Sequence, residues 1–315
     1  MPGSLFGRLV LGVSLRPSVA AAVTKTPLTQ GLVHRFVAGE TLTEAIEVVR
    51  AIERAGMRAA LDHLGENTSS RDEADAAADE AIRALDQVAS AGFDPYVSVK
   101  LTQLGLDVGE HVAVANASRL LARAGALGGF VCIDMEGSTY TTRTIEVFRE
   151  LRSRFDNVGI VLQACLYRTR QDARDLQELG ARIRIVKGAY SEPAHIAYRR
   201  KRDTDRNYAR LMEYLLLHGT LPAIATHDDA LIEQACAFAG EHGIARDRFE
   251  FQMLYGVRRD LQQRLVEEGY RVRVYVPYGS QWYPYLTRRL AERPANLLFM
   301  AGSLARERRS GVRSS

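Results

Sequence analysis

Two adjacent arginines near the C-terminal end of the sequence could bind an anion. Arg288 and Arg289 share the spacing i, i+3, i+4 and i+7 with Tyr285 and Glu292, which places all four on one face of a predicted helix. Arginine suits planar, bidentate binding of a carboxylate or a phosphate. The alternative is a solvated helix face on which Glu292 pairs with the two guanidinium groups. The rest of the chain decides between these interpretations.

Polar and ionisable residues also end each of eight short apolar segments. If these segments are parallel strands of a barrel, their carboxyl ends meet at one rim, where barrel enzymes have their active sites. We therefore expect these residues to converge on one site. They are Asp62, Glu66, Lys100, Gln103, Asp134, Glu136, Gln163, Arg184, Lys187, Tyr190, Thr226, His227, Asp228, Asp229, Gln252, Tyr255 and Tyr275.

Three chemistries could use such a rim. Asp134, Glu136, His227 and a neighbouring aspartate could bind a metal for hydrolysis, but no His-x-His pair accompanies them, and a hydrogen-bonded histidine without metal is the better interpretation of His227. Lys100 or Lys187 could form a Schiff base.

A redox cofactor is the third possibility. The glycines at 125, 128 and 129 lack the G-x-G-x-x-G spacing of a Rossmann fold, so the rim itself would have to hold a dinucleotide. Residue types alone do not choose among the three chemistries.

The elements that must position these residues follow a regular rhythm. Apolar segments of strand length alternate with helical stretches, which favours a (β/α)8 barrel over a doubly wound open sheet. The predicted strands are 57–64, 94–101, 129–135, 158–165, 182–186, 221–225, 249–254 and 271–276. Helices are predicted over 24–56, 70–91, 169–179, 192–218, 228–241 and 258–268.

The predicted organisation is an N-terminal helical arm (1–56), a catalytic barrel (57–300) and a basic tail (301–315) that we expect to be disordered. The net charge of +4 is modest, and no compact basic patch interleaved with aromatic residues predicts nucleic-acid binding. Three cysteines favour reduced thiols. The apolar run at 5–15 lacks a preceding basic region, which disfavours a signal peptide. No run reaches the roughly 20 apolar residues of a spanning helix.

Six segments, in their order and spacing, resemble the proline dehydrogenase family over about residues 35–300. They are VKLTQLG at 99–105, IDME at 133–136, RIVKGAY at 184–190, ATHD at 225–228, FEFQML at 249–254 and YLTRR at 285–289. The chain is similar to the monofunctional bacterial form. The resemblance implies a distorted (β/α)8 barrel that holds FAD at the strand ends, with the last helix over the barrel mouth.

The resemblance also implies roles for single residues. Lys100, Arg288 and Arg289 match the clamp for the proline carboxylate, and Tyr275, Tyr285 and Leu254 match the apolar walls around the ring. Asp134 and Arg184 match the catalytic pair, with Arg184 near the flavin N5. Glu66 matches an acidic gate that pairs with Arg288. The remaining matches are flavin contacts: Met135, Gln163, Lys187, Gly188, Ala189, Thr226 and His227.

The implied activity is FAD-dependent oxidation of L-proline to Δ1-pyrroline-5-carboxylate, with electrons passed to a quinone-type acceptor and no metal. We expect a cytoplasmic protein, and the acceptor implies peripheral contact with the inner face of the cell membrane. The oligomeric state does not follow from the sequence. A Schiff-base aldolase of similar fold and a non-catalytic carboxylate-binding barrel are the alternatives.

Overall fold

The computed structural model describes residues 35–282 and Tyr285. Eight parallel strands hydrogen-bond in chain order, and pairing of the first with the last closes the sheet into a barrel. The strands are β1 (Arg58–His63), β2 (Tyr96–Val99), β3 (Phe130–Ile133), β4 (Val158–Gln163), β5 (Arg182–Val186), β6 (Ala223–Ala225), β7 (Glu250–Leu254) and β8 (Arg271–Tyr278). The predicted (β/α)8 barrel is confirmed, and closure excludes the open sheet.

Helices follow β1 to β7 and surround the barrel, and a further helix precedes β1. They are α1 (Leu42–Arg54), α2 (Arg71–Ser90), α3 (Glu110–Ala126), α4 (Ser138–Arg152), α5 (Thr169–Gln177), α6 (Lys201–His218), α7 (Asp229–Glu241) and α8 (Arg259–Glu267). The predicted cap of α2 is present, since Ser70 Oγ accepts a hydrogen bond from the Glu73 amide. Helices α3 and α4 lie in stretches for which no helix bounds are predicted.

The predicted single helix over 24–56 is wrong at residues 37–41, which are not helical. Gly39 adopts φ +117°, a conformation that interrupts a right-handed helix and favours glycine. Thr41 then forms a capping box with Glu44 at the start of α1. The turn is held to the end of β8, because the Ala38 amide donates to the Pro277 carbonyl at 2.8 Å.

The predicted helix over 192–218 is also too long, because α6 begins only at Lys201. The preceding residues pair instead with the connection after β4. The Tyr198 amide donates to the Cys165 carbonyl at 2.8 Å, and the Tyr167 amide donates to the Ile196 carbonyl at 2.9 Å. These bonds tie the β5–α6 connection to the barrel beside the rim.

Alternation along the strands sorts the side chains between the helices and the barrel interior. On β8, Val272, Val274 and Val276 are buried in the main core, whereas Arg273 and Tyr275 contact residues of other strands inside the barrel. Near the amino ends of the strands, Arg273 Nε lies 3.1 Å from Glu250 Oε1, and both side chains are buried. The interior is therefore polar, and its charges are paired across strands.

Helix α1 packs against β1 and β8, where a regular barrel would place the helix that follows β8. The chain after β8 continues to the carboxyl ends of the strands instead. There Tyr285 is buried in a small cluster with Phe36, Leu64 and Trp282. The last helix, with Arg288 and Arg289, lies outside the described residues, so its place over the barrel mouth stays a prediction.

Candidate active site

A buried ion pair joins the first two strands at the rim. Lys100 directly follows β2, and its Nζ lies 3.0 Å from Oδ1 of Asp62 on β1. Asp62 is fully buried, and the Lys100 side chain is 12% exposed. Burial disfavours the ammonium form, but the carboxylates of Asp62 and Asp134 outweigh that effect and raise the pKa of Lys100. Lys100 is therefore positively charged at neutral pH.

Asp134, Arg184 and Tyr275 form the second charged group. Arg184 Nη1 donates to Asp134 Oδ1 at 2.7 Å, and the Tyr275 hydroxyl donates to the other carboxylate oxygen at 2.7 Å. Burial, with the Asp134 carboxylate as a further cause, raises the pKa of Tyr275 well above its ordinary value. The phenol thus stays protonated and remains a donor. Three strands meet in this network.

Arg184 is held rigidly and still offers a donor. Its Nη2 donates to Ser98 Oγ at 2.8 Å, and its guanidinium carbon lies 5.4 Å from the centroid of the Tyr275 ring. Within the part of the chain that the structure describes, Arg184 Nε is buried and has no hydrogen-bond partner. A buried donor without an acceptor is costly, so this atom is suited to donate to an acceptor atom of a bound ligand.

Lys187 follows β5 and lies between two carboxylates. Its Nζ is 2.7 Å from Asp205 Oδ1 and 2.8 Å from Asp228 Oδ2. Burial alone would raise the pKa of Asp228, but the hydrogen bond from Lys187, together with nearby positive charge, outweighs burial and lowers that pKa. The pKa of Asp205 is lowered in the same way, so both carboxylates are charged at neutral pH, and they hold Lys187 on the next sector of the rim from Arg184.

The backbone beside Lys187 requires a glycine. Gly188 has φ +109°, and a Cβ built on it would lie 2.3 Å from Cys165 Sγ. The neighbouring Ala189 amide donates to Gln163 Oε1 at 3.4 Å, while Gln163 Nε2 donates to the Glu136 carbonyl at 2.9 Å. Residues 188 and 189 are therefore drawn against the end of β4.

His227 has a defined hydrogen-bond role. Its Nε2 accepts from the Leu254 amide at 2.8 Å, so this nitrogen carries no proton and does not face an open metal position. Thr226 is buried, and its Oγ1 accepts from the Asp228 amide at 3.2 Å. Among residues 35–282 and Tyr285, no group of three or more His, Cys, Asp or Glu side chains could hold a metal ion.

The remaining predicted residues divide into three groups. Leu254 ends β7 on the rim and is partly exposed, and Tyr285 is buried at the mouth. Met135 is 6% exposed and packs in the main core. Glu66 lies on the β1–α2 connection and is partly exposed; its predicted partner Arg288 is outside the described residues.

Two contributions to the site were missed. Asp62 was predicted only as one of the polar residues at the rim, and its ion pair with Lys100 was not predicted. Ser98 was not predicted at all, because serine occurs in strands for many reasons. Its position two residues before Lys100, which follows β2, is the signal that could have found it, since residues two apart in an extended chain share a face.

Glu136, another predicted rim residue, links two of the connections that carry the site. Its side chain is buried and accepts hydrogen bonds from Thr102 Oγ1 at 2.6 Å and from the Thr102 amide at 3.2 Å. Burial raises the pKa of Glu136. This carboxylate fastens the chain after β2 to the chain after β3, which carry Lys100 and Asp134.

Comparison with known proteins finds relatives that match most of the chain. Residues 45–302 match the family model described as proline dehydrogenase. The chain is 45% identical over 305 residues to a proline dehydrogenase of Deinococcus radiodurans, covering 95% of this chain and 98% of that protein. It is 42% identical over 267 residues to proline dehydrogenase 1 of Bacillus subtilis, covering 85% and 88% of the two chains.

A solved structure shares the fold over most of the chain. The crystal structure of proline utilization A (PutA) from Bdellovibrio bacteriovorus superimposes with a TM-score of 0.81 at 26% identity. The match covers 90% of this chain but only 36% of that much longer one. The likeness is therefore to one part of the length of that longer protein.

Proposed function

The chain belongs to the proline dehydrogenase family and is an oxidoreductase that oxidises proline; from this premise we propose that the rim around Lys100, Asp134, Arg184 and Tyr275 is its catalytic centre. The observation that carries the proposal is that two cations inside the barrel, Lys100 and Arg184, are each paired with a carboxylate near the carboxyl ends of the strands. The proposed reaction converts L-proline to Δ1-pyrroline-5-carboxylate, the first step of proline catabolism. A ring carbon of proline gives up hydride, and the ring nitrogen gives up a proton.

We propose FAD as the cofactor, and the donor set fits it. Arg184 Nε is a buried donor without a partner among the described residues, which suits an acceptor atom of a bound group. The residues that would hold FAD are Met135, Gln163, Arg184, Lys187, Gly188, Ala189, Thr226 and His227. When bound, FAD supplies the two-electron acceptor for the hydride.

The positive charge on Lys100 at neutral pH suits this residue to bind the substrate carboxylate. Arg288 and Arg289 would complete a clamp of three cations, and their support is the resemblance of their motif. A carboxylate held by several charge-assisted hydrogen bonds is fixed in orientation as well as position, which lowers the barrier to transfer from the ring. Leu254, Tyr275 and Tyr285 would pack on the ring and exclude water. Glu66 would pair with Arg288 when the site is empty.

Asp134 acts through the two groups that it positions. One carboxylate orients the Arg184 guanidinium and the Tyr275 hydroxyl at once, through hydrogen bonds of 2.7 Å each. The cation at Arg184 would stabilise negative charge that develops beside it during oxidation. Because its charge and orientation exist before substrate binds, little reorganisation is needed during the reaction.

The structure disfavours a Schiff-base aldolase. An amine must be neutral to attack a carbonyl, but carboxylates raise the pKa of Lys100, and Lys187 lies between two carboxylates. Neither lysine has the environment of an activated nucleophile.

Electrons would pass to a quinone-type acceptor, and the protein would meet the membrane peripherally. The family resemblance supports the acceptor, and the apolar N-terminal run and arginine-rich C-terminal tail are compatible with membrane contact. Within the described part of the chain, no helix is both long enough and apolar enough to cross a bilayer.

An absorbance spectrum of the purified protein tests the proposal. We expect a yellow protein whose flavin bands bleach when L-proline is added without oxygen. A colourless protein that binds proline would favour the non-catalytic barrel, and a borohydride-trapped adduct on Lys100 or Lys187 would favour the aldolase. Either result overturns the assignment.

A further inference from the structure

A basic cleft lies on the outer wall of the barrel, away from the rim. Helices α5, α6 and α7 enclose a volume of about 640 Å³. Its lining includes Arg170 and Arg174, one turn apart on α5, and Arg210 on α6. We call this feature the arginine cleft. None of these residues belongs to the site described above.

The three arginines have no partner within the described residues. Arg170, Arg174 and Arg210 are exposed, and none of them has an ion pair or side-chain hydrogen bond with any residue of 35–282 or Tyr285. Exposed arginines on α3 behave differently: Arg119 pairs with Asp79, and Arg123 pairs with Asp86. Glu213 also lines the cleft, and its side chain accepts a hydrogen bond from Gln234. Three arginines therefore face one carboxylate, and the cleft presents net positive charge.

Two exposed leucines lie near the carboxyl ends of α5 and α6, the helices that carry the three arginines, and one of them, Leu217, lines the cleft. Leu179 is 43% exposed and Leu217 is 48% exposed, which makes them two of the most exposed large apolar side chains in the described structure. The two helix ends are joined, because Gln177 Nε2 donates to Thr220 Oγ1 at 3.3 Å. Leu217 also lies seven residues after Arg210, on the same face of α6.

We propose that the arginine cleft and its two leucines bind the surface of an anionic lipid membrane. Arginine side chains beside a membrane are attracted to phosphate headgroups, and apolar side chains at the same level enter the interface. This proposal rests on the membrane contact proposed above and gives it a location.

Nucleic acid is the competing anionic partner, but the side chains of this surface favour it less. Exposed leucines add little to binding of a phosphate backbone, whereas single strands need free aromatic faces. The aromatic rings of the cleft are already engaged: Phe238 stacks on His242 at 4.0 Å, and Tyr214 lies 4.9 Å from His218.

Co-sedimentation of the full-length holoenzyme with vesicles tests the proposal. Phosphatidylcholine vesicles are compared with vesicles that also contain phosphatidylglycerol, at low and high salt. The test variant is Arg170→Gln/Arg174→Gln/Arg210→Gln. The control is Arg54→Gln/Arg248→Gln/Arg271→Gln, which removes the same charge from exposed arginines that also lack a side-chain partner among the described residues. Proline oxidation with a soluble dye verifies that each variant is folded.

We expect salt-sensitive binding of the unmodified protein to the anionic vesicles. The test variant should bind about 100-fold more weakly, because each of its three arginines contributes about 1 kcal/mol near the membrane surface. Binding by the control variant should change by less than about threefold, because its arginines lie outside the cleft. If the unmodified protein binds no vesicles, the membrane contact itself is wrong, whereas proline oxidation stands. Equal binding by the test variant and the unmodified protein, or equal loss in the control, overturns the location alone. Retention on duplex DNA without vesicle binding would assign the cleft to nucleic acid and overturn the proposal.

Discussion

The Tyr275 hydroxyl donates a hydrogen bond of 2.7 Å to Oδ2 of Asp134, although 141 residues separate them in the sequence. The other oxygen of that carboxylate accepts from Arg184. A single aspartate thus couples a phenol on β8 to a guanidinium on β5 across the barrel interior. Both partners are held before any ligand binds, which is the arrangement that electrostatic catalysis requires.

Replacing Tyr275 with Phe tests this coupling. We expect kcat/KM for proline to fall about 10- to 100-fold, because a hydrogen bond to a charged group contributes about 1.5–3 kcal/mol. Steady-state kinetics with a dye acceptor measure the effect. Tyr278→Phe is the matched control on the same strand, since the Tyr278 hydroxyl donates to Glu80 at 3.0 Å, outside the site. Equal losses in both variants would show that only packing is at stake.

Arg184→Lys separates orientation from charge. A lysine keeps the positive charge but cannot hold Asp134 and Ser98 with the planar fork of a guanidinium. We expect the rate of cofactor reduction to fall at least tenfold with a much smaller change in the Kd for proline. Stopped-flow absorbance under anaerobic conditions measures both quantities. Weakened proline binding at an unchanged reduction rate would remove Arg184 from the reacting centre.

Asp62→Asn should make activity sensitive to alkaline pH. The carboxylates of Asp62 and Asp134 raise the pKa of Lys100 against the effect of burial, so the native ammonium group stays charged, and its contribution is lost only as pH rises through that raised pKa. Without Asp62, burial is less opposed and the pKa falls. We expect the alkaline limb of log kcat/KM to move to lower pH.

The matched control for this change is Asp205→Asn, which removes a carboxylate from the other rim lysine, Lys187. Its KM for proline and its alkaline limb should stay unchanged. An alkaline limb in Asp62→Asn that coincides with that of the unmodified enzyme would contradict the role of Asp62.

Gly188→Ala should destabilise the rim. The added Cβ would lie 2.3 Å from Cys165 Sγ at φ +109°, so we expect a loss of about 2–4 kcal/mol in the free energy of unfolding from strain and overpacking. Gly92→Ala has a similar φ of +81° with nothing within 4 Å and should cost only about 1–2 kcal/mol. Chemical denaturation measures both. Cys165→Ala should restore part of the stability of Gly188→Ala, and its failure to do so would exclude the clash.

Arg288→Met and Arg289→Met test the clamp. Each variant should raise KM for proline by about 10- to 100-fold while flavin absorbance is retained, because each removes charge-assisted hydrogen bonds worth roughly 1.5–3 kcal/mol. Arg308→Met in the C-terminal tail is the control and should leave KM unchanged. A normal KM in either of the first two variants would dismiss that arginine as a substrate ligand.

Sequence patterns were sufficient to predict the barrel architecture. Apolar strands that alternate with helical stretches determine a barrel, because buried parallel strands need helices on their outer side. That topology already places Lys100, Asp134, Arg184 and Tyr275 on one rim, since the carboxyl ends of all strands meet there.

Only the tertiary structure decided which side chains pair. Lys100 contacts Asp62 rather than Asp134, and Asp134 accepts hydrogen bonds from both Arg184 and Tyr275. Strand register and barrel closure set these distances, and neither can be read from spacing along the chain. Residues 37–41 leave the helix for the same reason: their amides and carbonyls find partners at the end of β8, more than 200 residues later. Local sequence determines the elements, and long-range hydrogen bonding determines how they end and what they hold.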